Sequence, residues 1–172
     1  VFLGWIFSSS DGSVGFVYFF SEVSFESLAI DQVNNVLYAG AGANGIIYRC
    51  TLSTGCDSLG DFSIATDTAE SAIMKMYIDP VNNVRYAGSN TGGMIFRCAL
   101  STGCDSASDF TTAYDTPETW SYSFVVDVNN AVLYSGSATG GIIYRCLLST
   151  SCDAAGDFTT AYDTPQGYIH AL

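Results

Sequence analysis

The stretch SYSFVVDVNNAVLYSGSATGGIIYRCLLSTSCDAAGDFTTAYDTP, residues 121–165, decides the fold of this chain. It holds four short apolar runs, SYSFVVD, AVLYSGS, IIYRC and DFTTAYD, separated by segments rich in Asn, Gly and Ser. Val, Ile, Tyr, Phe and Thr dominate the runs, and none has the length or the 3.6-residue period of a helix. Asn129-Asn130 and Gly140-Gly141 suit the left-handed conformation of tight hairpin turns. The stretch therefore predicts a four-stranded antiparallel meander.

The same pattern recurs along the chain at a step of 48 residues, as the cysteines at positions 50, 98 and 146 show. Residues 86–117 and 134–165 are identical at 24 of 32 positions. Such regular spacing is typical of a repeat architecture. Runs such as GIIYRC are apolar at consecutive positions, which predicts that both faces of each sheet are buried. We therefore predict an all-β chain, a β-propeller of four-stranded antiparallel blades with about four blades, one of them incomplete.

Residues 125–146, VVDVNNAVLYSGSATGGIIYRC, resemble the first three strands of a blade in secreted propellers of the YVTN or sialidase-like type. The resemblance covers about residues 28–172. The turn before the fourth strand is similar to an Asp-box, because Asp57, Asp105 and Asp153 each precede a phenylalanine by five residues. The glycine of that motif is one place late or absent here, and Phe replaces its Trp. The resemblance implies a fold rather than an activity, since Asp-boxes are structural turns away from the active site.

We expect one β-propeller domain over residues 1–172, divided into a partial blade and three repeats at residues 1–27, 28–75, 76–123 and 124–171. The last repeat would run into the first strand of the incomplete blade. The segments GWIF and YIHAL, near the two ends, would supply strands to that blade and close a ring of four. An incomplete blade exposes unpaired backbone groups, which predicts self-association by strand addition and growth of open filaments.

The composition narrows the range of partners. Seventeen acidic residues against five basic ones give a net charge of −12, which repels phosphate backbones and anionic lipid surfaces. Nucleic acid is therefore not an expected partner. No apolar run approaches the roughly 20 residues of a membrane helix, so we expect no membrane span.

The six cysteines form three C-x5-C pairs, CTLSTGC, CALSTGC and CLLSTSC. Each pair lies within one repeat, which predicts the disulfides Cys50–Cys56, Cys98–Cys104 and Cys146–Cys152 and an oxidising, extracellular location. Metal binding through sulfur is the alternative, but zinc sites use tighter spacing and the sequence has one histidine, His170.

No singular reactive cluster is present, since a repeat supplies the same groups at several symmetric places. We interpret His170 as a strand residue. Arg49, Arg97 and Arg145 follow aromatic residues in the third strands and have two possible roles. They could gather around an anionic sugar, as in a sialidase-like site, although no Tyr/Glu nucleophile pair can be placed. Alternatively they pair with repeated carboxylates, either the set Asp31, Asp79 and Asp127 or the set Asp67, Asp115 and Asp163.

Two further groups of residues could bind ligands. The D-x3-D pairs are weak calcium candidates, or they cap their own turns; they are Asp57, Asp61, Asp105, Asp109, Asp153 and Asp157. Trp120, Tyr122 and Tyr168, together with Trp5, could form a stacking platform for carbohydrate, although burial between blades explains such aromatics equally well. We expect no cofactor besides the calcium alternative.

These observations favour a secreted, non-enzymatic structural or adhesive propeller subunit that self-assembles through the open blade. A propeller that binds carbohydrate or protein is the alternative. A hydrolase or lyase whose active site lies outside this segment comes third.

Overall fold

The computed structural model of the chain describes residues 6–8, 14–16 and 24–170. These residues form short antiparallel strands joined by tight turns and 3-10 turns, without an α-helix. The strands are β1 Ile6–Ser8, β2 Val14–Phe16, β3 Phe25–Asp31, β4 Val36–Ala41, β5 Ile46–Thr51, β6 Phe62–Asp67, β7 Ile73–Asp79, β8 Val84–Ser89, β9 Met94–Ala99, β10 Phe110–Asp115, β11 Ser121–Asp127, β12 Val132–Ser137, β13 Ile142–Leu147 and β14 Phe158–Asp163.

The strands from β3 onward build three meanders, in which each strand pairs with the next along the chain. We call them blade 1 (β3–β6), blade 2 (β7–β10) and blade 3 (β11–β14). The hairpin β1–β2 forms a separate two-stranded sheet. The all-β class and the four-stranded antiparallel unit predicted from the sequence are confirmed.

The blades lie side by side, with their first strands together. Strand β7 packs against both β3 and β11, whereas the fourth strands β6, β10 and β14 form the outer edges of their sheets. Apolar side chains fill the space between sheets: Tyr38 of blade 1 and Phe96 of blade 2 share one core cluster. Tyr86 of blade 2 and Phe124 of blade 3 share the next. This is the radial arrangement of propeller blades, and we call β3, β7 and β11 the innermost strands.

The turn between the first two strands of each blade is capped by an aspartate. Asp127 Oδ1 accepts hydrogen bonds from the backbone N–H groups of Asn129 and Asn130, both at 3.1 Å. The left-handed residue of this turn is Ala131, with φ 52°, so the prediction that Asn129-Asn130 takes this conformation is wrong. The side-chain amide of Asn130 instead donates a hydrogen bond to Asp127 Oδ2. At the other turn, Gly141 has φ 64°, as its glycine pair predicted.

The three predicted disulfides are present, each within one blade. They join Cys50 to Cys56, Cys98 to Cys104 and Cys146 to Cys152, and each staples the segment between the third and fourth strands. Within that segment a 3-10 turn, such as Leu52–Thr54, ends at a left-handed residue. The bridge therefore closes a short turn segment between the third and fourth strands of its blade.

Several predictions about the chain ends fall outside the described residues. Trp5, most of the proposed partial blade and residues 171–172 lie there. Residues 168–170 are described and lie against blade 3, where the Ile169 N–H donates to the Ser137 carbonyl at 3.0 Å. The repeat boundaries at residues 28, 76 and 124, and the closure of a ring of four, stay predictions.

Candidate functional site

Each innermost strand carries a β-bulge near its start. The pairing skips one residue between Phe25 and Ser27 in β3, and the same irregularity recurs in β7 and β11. The bulged residues, Glu26, Met74 and Tyr122, stand opposite no partner on the neighbouring strand. Bulges are frequent next to functional sites because they re-aim a side chain. Three bulges at equivalent positions thus place three different side chains around one end of the innermost strands.

Aromatic rings gather at this end of the innermost strands. The ring centroids of Trp120 and Tyr122 are 5.3 Å apart, with the planes at 88°. The Tyr122 ring lies 5.0 Å from the His170 ring, which stacks on Tyr168 at 5.6 Å and 12°. Trp120 and Tyr122 are half-buried, whereas Tyr168 is 58 % exposed. The three aromatic residues predicted as a ligand platform therefore come together, and we call this cluster with His170 the aromatic mouth.

A carboxylate from blade 1 acts on the same cluster. Burial raises the pKa of the Tyr122 phenol, and the charges of Glu26 and Tyr168 raise it further. The Glu26 carboxylate accepts a hydrogen bond from the Ser24 hydroxyl at 2.8 Å. Side chains of blades 1 and 3 and of residues 168–170 thus share one electrostatic environment.

Hydrogen bonds hold the loops that lead into the innermost strands, at the end where the aromatic mouth lies. Glu118, which precedes β11, accepts a hydrogen bond from the Thr139 hydroxyl at 3.0 Å. The Thr119 N–H donates to that hydroxyl at 2.9 Å, next to Trp120. Glu70 bonds the corresponding turn of blade 2. An open cleft of about 620 Å³ lies between blades 1 and 2 on this face, lined in part by Asn44, Glu70 and Thr91.

The repeats diverge most at the innermost strands. Residues 86–117 and 134–165 are three-quarters identical, yet β7 (IMKMYID) and β11 (SYSFVVD) share only their final aspartate. At the step of 48 the bulge position reads Glu26, Met74, Tyr122 and His170, a different residue each time. Sequence reasoning missed Glu26 and assigned His170 no role in binding. A comparison of the copies position by position would have singled out both.

Arg49, one of the three arginines repeated at the step of 48 residues, lies between blades 1 and 2. Arg49 Nη1 lies 3.6 Å from Asp105 Oδ2, and this is the ion pair found among the described residues. Asp105 belongs to the disulfide segment of the next blade. The Tyr38 hydroxyl donates to the Gly103 carbonyl of that segment at 3.2 Å. The predicted pairing with the Asp31 or Asp67 set is therefore wrong for Arg49. The sialidase-like cluster of the three arginines stays a prediction.

The equivalent residues of blades 2 and 3 influence one another electrostatically. Burial raises the pKa of Tyr86 to about 12, and the charges of Arg97 and Asp153 also act on it. Tyr86, Arg97 and Asp153 stand 48 residues after Tyr38, Arg49 and Asp105. The disulfide segment of blade 2 is thus docked on Tyr38 and Arg49 of blade 1, which gives Arg49 a structural role.

The D-x3-D pairs cap their own turns. Asp61 Oδ2 accepts hydrogen bonds from the N–H of Asp57 at 3.2 Å and from the N–H and hydroxyl of Ser58, both at 2.9 Å. Hydrogen bonds from Ser58 lower the pKa of the Asp61 carboxyl. Asp109 and Asp157 bond their turns in the same way. Among the described residues no group of three or more His, Cys, Asp or Glu side chains could hold a metal ion. The calcium alternative stays a prediction.

Within the described part of the chain, no helix is long and apolar enough to cross a membrane.

No protein-family model matches this chain, and neither does any curated protein. Among solved structures the chain is similar to one titled "Crystal structure of Nidogen/Laminin Complex", with a TM-score of 0.63 and 14 % identity. The similarity covers 86 % of this chain and 51 % of the other, so this chain spans about half the length of the one it matches. At this identity the similarity shows the fold alone, and it agrees with the blades described above. The chain has a β-propeller fold built from four-stranded antiparallel blades.

Proposed function

We propose that this chain is an extracellular, non-enzymatic β-propeller that binds a protein partner through the aromatic mouth. One observation carries the proposal: near-identical repeats diverge at the bulges of the innermost strands, where Trp120, Tyr122 and Tyr168 come together. Packing alone does not require rings at these positions, because the equivalent of Trp120 in blade 2 is Ala72, which is 2 % exposed.

Binding fits these residues better than catalysis. Tyr and Trp are frequent in protein-binding surfaces, because they supply large contact areas at little cost in conformational entropy. Catalysis needs a nucleophile or a base held by a third group, and the hydrogen bonds of the mouth tie loops together instead. The similar solved structure is titled as a complex of two proteins, which also favours a protein as the partner.

An extracellular location is supported by the cysteines. Each of the six forms a disulfide within its own blade. Disulfides form and persist in oxidising compartments and are rare in the cytosol. The three bridges would stabilise the turn segments between the third and fourth strands by closing each into a short loop.

Carbohydrate is the second candidate ligand. Tyr168 stacks on His170 with the planes at 12° and is more than half exposed, so its ring offers a flat surface of the kind on which a sugar ring stacks. The structural and filament-forming roles predicted from the open blade stay predictions, because most of the residues on which they depend lie outside those described.

Display of random peptides and a glycan array, both probed with the purified protein, test these alternatives. The key variant is Tyr168→Ala. Its matched control is Tyr162→Ala, since Tyr162 is 59 % exposed but lies on the outer strand β14. Peptides enriched on the native protein and on the control, but lost with Tyr168→Ala, would support protein binding at the mouth.

The other outcomes are equally informative. Selective glycans lost with Tyr168→Ala would replace protein by carbohydrate as the ligand. Equal binding by the native protein, Tyr168→Ala and Tyr162→Ala would place the binding surface elsewhere and refute a role for the aromatic mouth.

A further inference from the structure

We propose that the aromatic mouth binds an alkylammonium cation, which a protein partner presents as a lysine side chain. This inference rests on the proposed function and names the chemistry of the group that enters the site. It follows from the angles between the rings, from the carboxylate beside them and from the charge of the chain.

The ring planes form a corner rather than a flat stack. Trp120 and Tyr122 stand at 88°, and Tyr122 and His170 at 55°, with centroid distances of 5.3 and 5.0 Å. Rings at steep angles present π-faces to one point from different directions, and a cation within about 6 Å of several faces gains from each. A flat platform would instead suit a sugar ring, and only the Tyr168–His170 pair is parallel.

An acidic group that acts on Tyr122 complements a cation. Glu26 is close enough to act on the Tyr122 phenol, and its carboxylate keeps one hydrogen bond from Ser24. Lys75 is the basic residue of the innermost strands, and it follows the bulge residue of β7, whereas the rings come from β11 and residues 168–170. The net charge of −12 attracts a cation over longer distances.

The repeats show that these side chains are additions to the fold. Blade 2 carries Ala72 and Met74 where blade 3 carries Trp120 and Tyr122, and both blades form the same bulge. Ala at the Trp120 position is therefore compatible with a folded blade. Trp120→Ala therefore tests binding in a blade that can still fold. Tyr168→Ala provides a second variant, at a ring that is 58 % exposed and loses mainly its stacking on His170.

The test compares choline with 3,3-dimethylbutan-1-ol, which has the same shape but no charge. Binding is followed in proton–nitrogen NMR spectra through the indole N–H of Trp120. We expect choline to shift this signal in a saturable way and the neutral alcohol to bind at least ten-fold more weakly. Trp120→Ala and Tyr168→Ala, followed through the signals of neighbouring backbone amides, should each weaken choline binding on the order of ten-fold.

The carboxylate is tested separately. Glu26→Gln keeps the shape of the side chain and should weaken choline binding about two- to five-fold, as expected for one exposed ion pair. Asp115→Asn removes one negative charge from the outer strand β10 and is the matched control, for which we expect no change in choline binding.

A second experiment repeats the titration with a peptide that contains one lysine and with the same peptide acetylated at that lysine. Loss of binding on acetylation identifies the protein side chain as the source of the cation.

Equal affinity for choline and its neutral analogue, or no binding of either lysine peptide or choline, would overturn the inference. The proposed function can survive that result. If peptides selected on the native protein still lose binding with Tyr168→Ala while carrying no Lys or Arg, the mouth binds protein but not through a cation. If no ligand depends on the mouth, both proposals fail.

Discussion

Replacement of Arg85 by leucine is expected to stabilise the protein. Arg85 lies on β8 with 1 % of its surface exposed, between the rings of Tyr38 and Phe110. Its guanidinium carbon is 3.9 and 4.4 Å from the two ring centroids. Its three side-chain nitrogens have no hydrogen-bond partner among the described residues. The equivalent residues of the other copies are Leu37 and Leu133, so the fold accommodates leucine here.

The expected gain follows from two opposing contributions. Burial lowers the pKa of Arg85 from 12.5 to about 9, which corresponds to a cost of about 5 kcal/mol for the buried charge. Each cation–π contact returns about 1–2 kcal/mol in a desolvated site. A leucine forgoes both contributions and fills the site with apolar surface, as Leu133 does at 0 % exposure. Arg85→Leu should therefore raise the free energy of unfolding by about 1–3 kcal/mol.

Urea unfolding, followed by near-ultraviolet circular dichroism at neutral pH, measures this change. The midpoint should rise while the dependence on urea concentration stays the same. Arg85→Lys keeps the charge without the planar stacking and should be less stable than the native protein. The reciprocal Leu133→Arg, which buries a guanidinium in blade 3, should also be less stable. If Arg85→Leu lowers the midpoint, Arg85 has a stabilising partner and the reasoning fails.

Three further predictions concern the turns. Ala131→Asn should raise the free energy of unfolding, measured in urea, by about 0.5–1 kcal/mol, because Ala131 has φ 52° and asparagine tolerates the left-handed conformation better. Asn83→Ala should lower the free energy of unfolding by a similar amount, and an unchanged value in both variants would contradict this reasoning. Removal of the Cys98–Cys104 bridge by paired serine substitutions should lower the free energy of unfolding by about 2 kcal/mol, the entropy of a short closed loop, and an unchanged midpoint would argue against that role. Hydrogen bonds from its own turn lower the pKa of Asp127 in the folded protein. The stability that the Asp127 carboxylate contributes is therefore present above the unfolded-state pKa of 3.8, and it is lost as the pH falls through the folded-state pKa. The stability difference between the native protein and Asp127→Asn should therefore shrink in acid, whereas a difference that is constant with pH would rule out this linkage.

Local features of the fold were predictable from the sequence, because they depend on residues close together in the chain. Apolar runs separated by Asn and Gly turns predicted the meander, since neighbouring antiparallel strands need only a tight turn between them. The C-x5-C spacing predicted the disulfides, because each bridge closes within one turn segment. The turn conformation was not predictable in this way. Asn129-Asn130 was predicted to be left-handed, but Ala131 takes that position, and Asp127 Oδ1 accepts hydrogen bonds from the backbone N–H groups of both asparagines.

The mouth and the contacts between blades were decided by the tertiary structure. A 48-residue period shows which residues are equivalent, but it does not show which strand of each sheet is innermost. The packing of β7 between β3 and β11 settles that, and it brings Glu26, Tyr122 and His170 to one place although they are far apart in the chain. Arg49 likewise pairs with Asp105 of the next blade rather than with a carboxylate of its own. The sequence by itself determines the blade, because strands and turns follow from local backbone preferences. Only the packing of blade on blade determines the site, because it depends on which faces bury apolar surface against each other.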